Sequence, residues 1–375
     1  MPPATLSNEL DLAFIMDTTG SMTSYIDTAR QNIREIVDEI VSSSNSDVRL
    51  ALIEYRDHAP EDTTFVTRKN DFTNSVVSMK SWLTAAHAQG GGDGPEAVAD
   101  ALFETTKLSW RPKSAKISVL ISDAPPHGLV PSEDTSFPEG SPNGHDPMKI
   151  VRDLAQMGVT LYVIGCEPAI VPYKDFFMAL AYLTGGQYVP LSVPHLLVNA
   201  ITGGAQEELS LQKFKKDVQQ EIQRASASGG VVNEQQVASS LYQKYSQSGV
   251  QSKQLVLNNK TLEGPSTSAK QLSESKSMAD VRKIFKIASA PERTLFSDFG
   301  PIRRTFGGST PLLSKSMPGM IDKGRPSATD GIIGSFGGGR GSADTIGTLS
   351  TVESGITIEQ INRLVKQETA KLTSV

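Results

Sequence analysis

Four segments in the first 200 residues are almost continuously apolar: DLAFIMD (11–17), VRLALIEY (48–55), KISVLISD (116–123) and TLYVIGC (160–166). Runs of this length without polar alternation suit strands buried on both faces, as in a parallel sheet covered by helices. FVTRKND (65–71) is a more polar strand candidate, and QYVPL (187–191) a short edge strand. Between them the spacing becomes helical. Met22, Tyr25, Ile26, Ala29, Ile33, Ile36, Val37 and Ile40 form one stripe that stops at the Ser/Asn cluster 42–46. Residues 75–88 have helical spacing and are broken by GGGDG (90–94). Residues 95–110 open with a proline suited to a first turn, 147–158 close on Gly158, and 175–186 complete the series. The alternation predicts an α/β fold, a doubly wound, mostly parallel sheet with helices on both faces. In such sheets ligands bind at the carboxyl ends of the strands, where the strand order reverses. Asp17 and Asp123 both end apolar runs and are expected to meet there.

Beyond residue 194 the pattern changes. Residues 195–225 read as mostly helical, 233–245 as a short helix, 254–257 as a strand or extended segment, and 278–288 as a further helix. Residues 300–341 hold 11 glycines among many Ser and Pro, too little apolar surface to order themselves. The last segment, 357–372, is a helix with Thr357 as N-cap and Gln360 as its capping-box partner. Its stripe of Ile358, Ile361, Leu364, Val365 and Leu372 is expected to dock either a partner or its own domain. The resulting division is an α/β domain at 1–205, a mainly helical extension at 206–257, a mostly disordered linker at 258–355 and an amphipathic C-terminal helix at 356–375.

Charge follows this division. The chain carries −5 overall, but residues 1–205 sum to −11 and residues 206–375 to +6. The basic half lacks interleaved aromatics and long Lys/Arg runs, which argues against nucleic acid. The single cysteine, Cys166, excludes an intramolecular disulfide and a cysteine-based zinc site. The first residues lack a secretory pattern and no apolar run approaches bilayer length, so the expected compartment is the cytoplasm, or the nucleus, with no membrane contact.

The strongest chemical signal is Asp17-Thr18-Thr19-Gly20-Ser21 directly after a strand. A carboxylate with hydroxyls two and four residues on puts three hard oxygens into one loop, the ligand type Mg²⁺ requires. Asp123 supplies a second carboxylate, and Asp93 in the Gly-rich loop a third. The candidate metal ligands are therefore Asp17, Thr19, Ser21, Asp93 and Asp123, with Mg²⁺ as the cation and Mn²⁺ or Ca²⁺ as alternatives.

These residues resemble a known family. Residues 10–200 are similar to a von Willebrand factor type A domain, whose metal-ion-dependent adhesion site has a D-x-[ST]-G-S pattern, present here as Asp17, Thr19 and Ser21. The family's third-loop aspartate corresponds to Asp123, while its second-loop threonine is represented by Asp93. GGGDGPEA, SDAPPHG, GHDP and TLYVIGCEP further resemble the intracellular A-domains fused to α-kinases and their relatives. The resemblance implies a binding module rather than an enzyme, a Mg²⁺ ion with one position left for a partner's acidic residue, and assembly as an adaptor or scaffold within protein complexes. A carboxylate at the second-loop position predicts firmer cation binding and weaker attraction for an acidic ligand.

Two enzyme readings are disfavoured. A haloacid dehalogenase-type phosphatase needs an acid/base aspartate two residues after the first, where Thr19 stands. An α-kinase needs a further domain with a Cys/His zinc site, and no cysteine follows residue 166. GSFGGGRGSADT (334–345) lacks the lysine and the strand–helix context of a phosphate loop and reads as linker. His127 and His145 read as solvated loop residues, Cys166 as core, the charges of 206–225 as a solvated face, and Asp93 with Glu96 alternatively as a capping box.

Overall fold

The computed structural model describes residues 9–44, 46–227, 232–287 and 347–372. In chain order it contains β1 (Glu9–Asp17), α1 (Thr23–Ser44), β2 (Asp47–Tyr55), β3 (Thr67–Thr73), α2 (Val76–Ala85), α3 (Val98–Thr106), β4 (Ala115–Ser122), α4 (Pro147–Gln156), β5 (Val159–Cys166), α5 (Lys174–Leu183) and β6 (Tyr188–Leu191). There follow α6 (Leu197–Leu211), α7 (Lys215–Ala227), α8 (Glu234–Gln247), β7 (Gln251–Leu257), β8 (Lys260–Thr261), α9 (Thr267–Ser273), α10 (Met278–Ile284), β9 (Leu349–Gly355) and α11 (Ile358–Ala370).

The main sheet has the order β3-β2-β1-β4-β5-β6, parallel except for β3. The chain leaves central β1 toward β2 on one side and returns to β4 on the other, so the strand order reverses between β1 and β4. This is the doubly wound fold expected from the apolar runs. Alternate residues explain the two cores. Leu10, Leu12, Phe14 and Met16 pack with α1, α2 and α6, whereas Ala13 and Ile15 pack with α3, α4 and α5. The β3 strand is polar because it is an edge paired only to β2.

The C-terminal half departs from its reading in the segment expected to be linker. The stretch 195–225 is mostly helical as read, with a 3₁₀ turn at Gln212–Phe214 between α6 and α7. Residues 258–355, read as mostly disordered linker with one helix over 278–288, carry that helix as α10 and also β8, α9 and β9. Ala269, Leu272, Met278 and Val281 are buried on the α3/α4/α5 face, and β9 joins β7 in an antiparallel three-stranded sheet. These segments are polar by composition, and a few well-placed apolar side chains suffice once a large surface already exists to receive them. The Gly-rich part, 300–341, lies outside the described residues.

The C-terminal helix packs on its own domain. The predicted capping box is present, with Thr357 Oγ1 accepting from Gln360 N and Gln360 Oε1 accepting from Thr357 N. Ile361, Leu364 and Val365 are fully buried against α7 and α8. Leu364→Ala is expected to destabilise the protein by about 2–5 kcal/mol, the cost of a buried leucine truncation. Urea unfolding checks this, and a loss under ~1 kcal/mol would mean that the docking is superficial.

Candidate functional site

β1 carries one aspartate near its start, Asp11, and one at its end, Asp17, and the two are treated differently. Asp11 is buried but accepts from Arg49 Nε at 2.9 Å, Arg111 Nε at 2.8 Å and Arg111 N at 2.7 Å. Burial alone would raise its pKa, yet these donors hold it below the usual carboxylate value. Asp17, at the carboxyl end, has no such cation. Its Oδ1 accepts from Thr19 N at 2.9 Å and Thr19 Oγ1 at 2.6 Å, while Oδ2 is buried with no hydrogen-bond partner. Burial and the neighbouring charge of Asp123, partly offset by the Thr19 donors, push its pKa up to about 7. This fully buried carboxylate thus has an unpartnered oxygen and no cationic side chain hydrogen-bonded to it, and burial of such a group is costly unless it is protonated or paired.

The structure brings four of the five predicted residues together. From Asp17 the oxygens continue through Thr19 Oγ1 to Ser21 Oγ at 3.5 Å, and Ser21 hydrogen-bonds the carboxylate of Asp123. Backbone bonds lace the loops around them. Gly20 N donates to Gly90 O at 3.2 Å, Gln89 N to Thr18 O at 3.1 Å, and Glu96 N to Pro125 O at 2.9 Å. The Gly-rich stretch is needed for this approach. Gly90 and Gly91 have φ of +80° and +81°, and a Cβ on Gly90 would fall 1.8 Å from Asp62 Oδ2.

Asp93 sits apart from these four. Both of its oxygens are buried without partners, but the carboxylates acting on it are Asp57, Glu61 and Asp134. Burial and Asp57 raise its pKa to about 6, against an opposing pull from His127. The carboxylate that faces Asp17 and Asp123 is Glu96, absent from the sequence-derived site. Burial and the charges of Asp17, Asp57, Asp93 and Asp123 push it up to about 10. Its place two residues beyond Gly94, in a segment that also reads as a cap, concealed it.

Behind this surface lies a second missed group. His127 is buried, not solvated as read. Its Nε2 meets Asp57 Oδ1 at 2.5 Å and its Nδ1 meets Asp134 Oδ2 at 3.0 Å. Burial disfavours the imidazolium, but the two carboxylates outweigh it and raise the pKa. His145 is partly exposed and bonds Asp100 Oδ1 at 2.8 Å, while His58 Nε2 meets Asp100 Oδ2 at 3.0 Å. Cys166 is a buried core residue as expected. The 206–225 face is not wholly solvated, since Glu207 and Glu208 are buried.

The donor set is all hard oxygen, which suits Mg²⁺. Among the described residues no three carboxylate, imidazole or thiolate groups already surround a common point. A cation here would therefore draw on the Thr19 and Ser21 hydroxyls as well as on carboxylates. Among the same residues no helix is long and apolar enough to cross a membrane.

Comparison with known proteins finds a family model over the elements that build this site. Residues 11–129, spanning β1 to the loop after β4, match the family model of the von Willebrand factor A domain. The chain is 31% identical over 155 residues to alpha-protein kinase vwkA of Dictyostelium discoideum, covering 41% of this chain and 24% of that protein. It is 26% identical over 186 residues to the putative ariadne-like RING finger protein R811 of Acanthamoeba polyphaga mimivirus, covering 48% and 18%. The chain thus spans less than a quarter of the length of either relative. Among solved structures, a von Willebrand factor type A protein from Catenulispora acidiphila aligns with a TM-score of 0.37 and 16% identity over 54% of this chain and 43% of that one. The family model thus falls on the strands and loops that build the site, so residues 11–129 are similar to a von Willebrand factor A domain and the chain is similar in sequence to vwkA.

Proposed function

We propose that this chain is a non-enzymatic protein-binding module that holds a divalent cation at the carboxyl edge of its sheet and acts as an adaptor in a cytoplasmic complex. The von Willebrand factor A domain is a family of protein-interaction modules, which supports the binding part of this reading. The cation part rests on one observation above others, the buried and unpartnered Asp17 Oδ2 at the strand switch point. Asp17, Thr19, Ser21 and Asp123 would hold the ion, Mg²⁺ before Mn²⁺ or Ca²⁺, with Asp93 in the outer surroundings. When bound, the ion supplies a fixed Lewis-acidic point at the strand edge. Asp17 and Asp123 offset its two charges and hold it in place, and Thr19 fixes the Asp17 rotamer through its two hydrogen bonds.

Titration with Mg²⁺ by calorimetry tests the reading. Wild type is expected to bind one ion, and Asp17→Ala with Ser21→Ala to lose more than about tenfold in affinity, since mutating even an outer-shell partner of a metal ligand costs about that much. The partners retained by wild type in Mg²⁺ should be lost with the double variant or with EDTA. Equal Mg²⁺ binding by the two proteins would overturn the proposal.

A further inference from the structure

We infer that Glu96 supplies from within the chain the carboxylate that the family resemblance assigns to a partner, so that the loaded site closes on itself and does not take an acidic side chain from outside. The inference rests on the cation reading above and deepens it.

Geometry carries it. Glu96 is stitched to the loop of Asp123 by Glu96 N donating to Pro125 O at 2.9 Å and His127 N donating to Glu96 O at 3.4 Å, in an isolated bridge between Glu96 and Pro126. On its other side it faces the first loop. A Cβ placed on Gly91 would lie 2.8 Å from Glu96 Oε1 and 3.2 Å from Thr19 Cβ, so the carboxylate and Thr19 flank the same glycine. Glu96 therefore stands between the loops that carry Asp17 and Asp123. It is 3% exposed and its Oε2 is buried without a partner, an oxygen with no role in the protein's own hydrogen bonding. Asp93 lies toward Asp57 and Glu61 instead, and a Cβ on Gly92 next to it would fall 2.4 Å from Glu61 Oε2. Asp17, Asp123 and Glu96 do not surround one point in the metal-free fold, so Glu96 completes the shell only on loading. The three carboxylates then leave the loaded centre at −1, which repels a further carboxylate and favours a basic partner segment.

Mn²⁺ serves as the probe, read by its binding constant and by the water-proton relaxivity of the bound ion, which reports coordinated water. Glu96→Gln is expected to lose at least about tenfold in Mn²⁺ affinity, while Asp93→Asn loses less than about threefold. Glu96→Thr should show raised relaxivity that falls when glutarate is added, as the external carboxylate replaces water. Wild type should not respond to glutarate. Thermal unfolding without metal controls for folding, and Glu96→Gln should be at least as stable as wild type because it removes an unpartnered buried carboxylate. A larger loss for Asp93→Asn than for Glu96→Gln, or a wild type that responds to glutarate, overturns the inference. If Asp17→Ala leaves Mn²⁺ binding intact, the cation reading itself fails. If Asp17→Ala abolishes binding and Glu96→Gln does not weaken it, only this inference fails.

Discussion

Arg363→Ala is expected to cost about 3–5 kcal/mol of stability, the range for breaking a buried charge pair from one side. Arg363 on α11 is 3% exposed and spends its whole guanidinium on the main domain. Nε donates to Gly185 O at 2.9 Å, Nη1 to Gln187 Oε1 at 3.1 Å and Nη2 to the Tyr162 hydroxyl at 2.5 Å. Glu207 lies 3.2 Å away and Glu208 3.6 Å. Burial works against the guanidinium charge, but Tyr162, Glu207 and Glu208 outweigh it and hold it firmly protonated. Alanine would leave Glu207 buried without its counter-charge and Tyr162 without its donor. Glu208 keeps Lys215 at 3.2 Å. Urea denaturation measures the loss, and Arg363→Met combined with Glu207→Gln should recover part of it, because the unpaired carboxylate is then gone. A loss below ~1 kcal/mol for Arg363→Ala would show that apolar packing alone seats α11.

The second large effect is a pH dependence that a cation should reverse. Unfolded, the acids titrate near 3.8 for Asp and 4.5 for Glu. In the fold Asp93 rises to about 6, Asp17 to about 7 and Glu96 to about 10. A group whose pKa is higher in the folded state contributes stability below its unfolded value, and that contribution is lost as pH rises through the folded one. His127, also raised, acts in the same direction. Asp11 and Asp100 run the opposite way, with Asp100 at about 2, but they act only in the acid range below the ordinary carboxylate value. Metal-free protein is therefore expected to lose stability between pH 5 and 8, on the order of a few kcal/mol. Saturating Mg²⁺ should flatten or invert that slope, since it favours the ionised carboxylates. Melting temperatures across this range, with Mg²⁺ or EDTA, provide the check. A metal-free profile that is flat, or one that Mg²⁺ leaves unchanged, would contradict the assignment of these groups to a cation.

Much of the main domain was legible because its signals are local. Strands buried on both faces must be apolar throughout, so β1, β2, β4 and β5 stand out in one dimension. The motif around Asp17, Thr19 and Ser21 is local too. The other half of the site is not. Glu96 and Asp93 are three residues apart in one Gly-rich loop, and only the path of that loop decides which faces Asp17. The same holds for the histidines. Asp57, His127 and Asp134 are scattered along the chain, and a loop histidine buried between two aspartates looks, in sequence, like one on the surface.

By itself the sequence determined the doubly wound α/β architecture, the switch-point location of Asp17 and Asp123, and the helix capped by Thr357, because periodicity, strand burial and capping act over a few residues. Tertiary structure alone decided what each charge does. Asp11 is neutralised by two arginines brought from distant segments, while Asp17 on the same strand is left without a cation. It also decided that α11 closes on its own domain, through an arginine whose carboxylate partners lie more than 150 residues away. Electrostatics and burial depend on neighbours in space, and a linear chain does not state which neighbours those are.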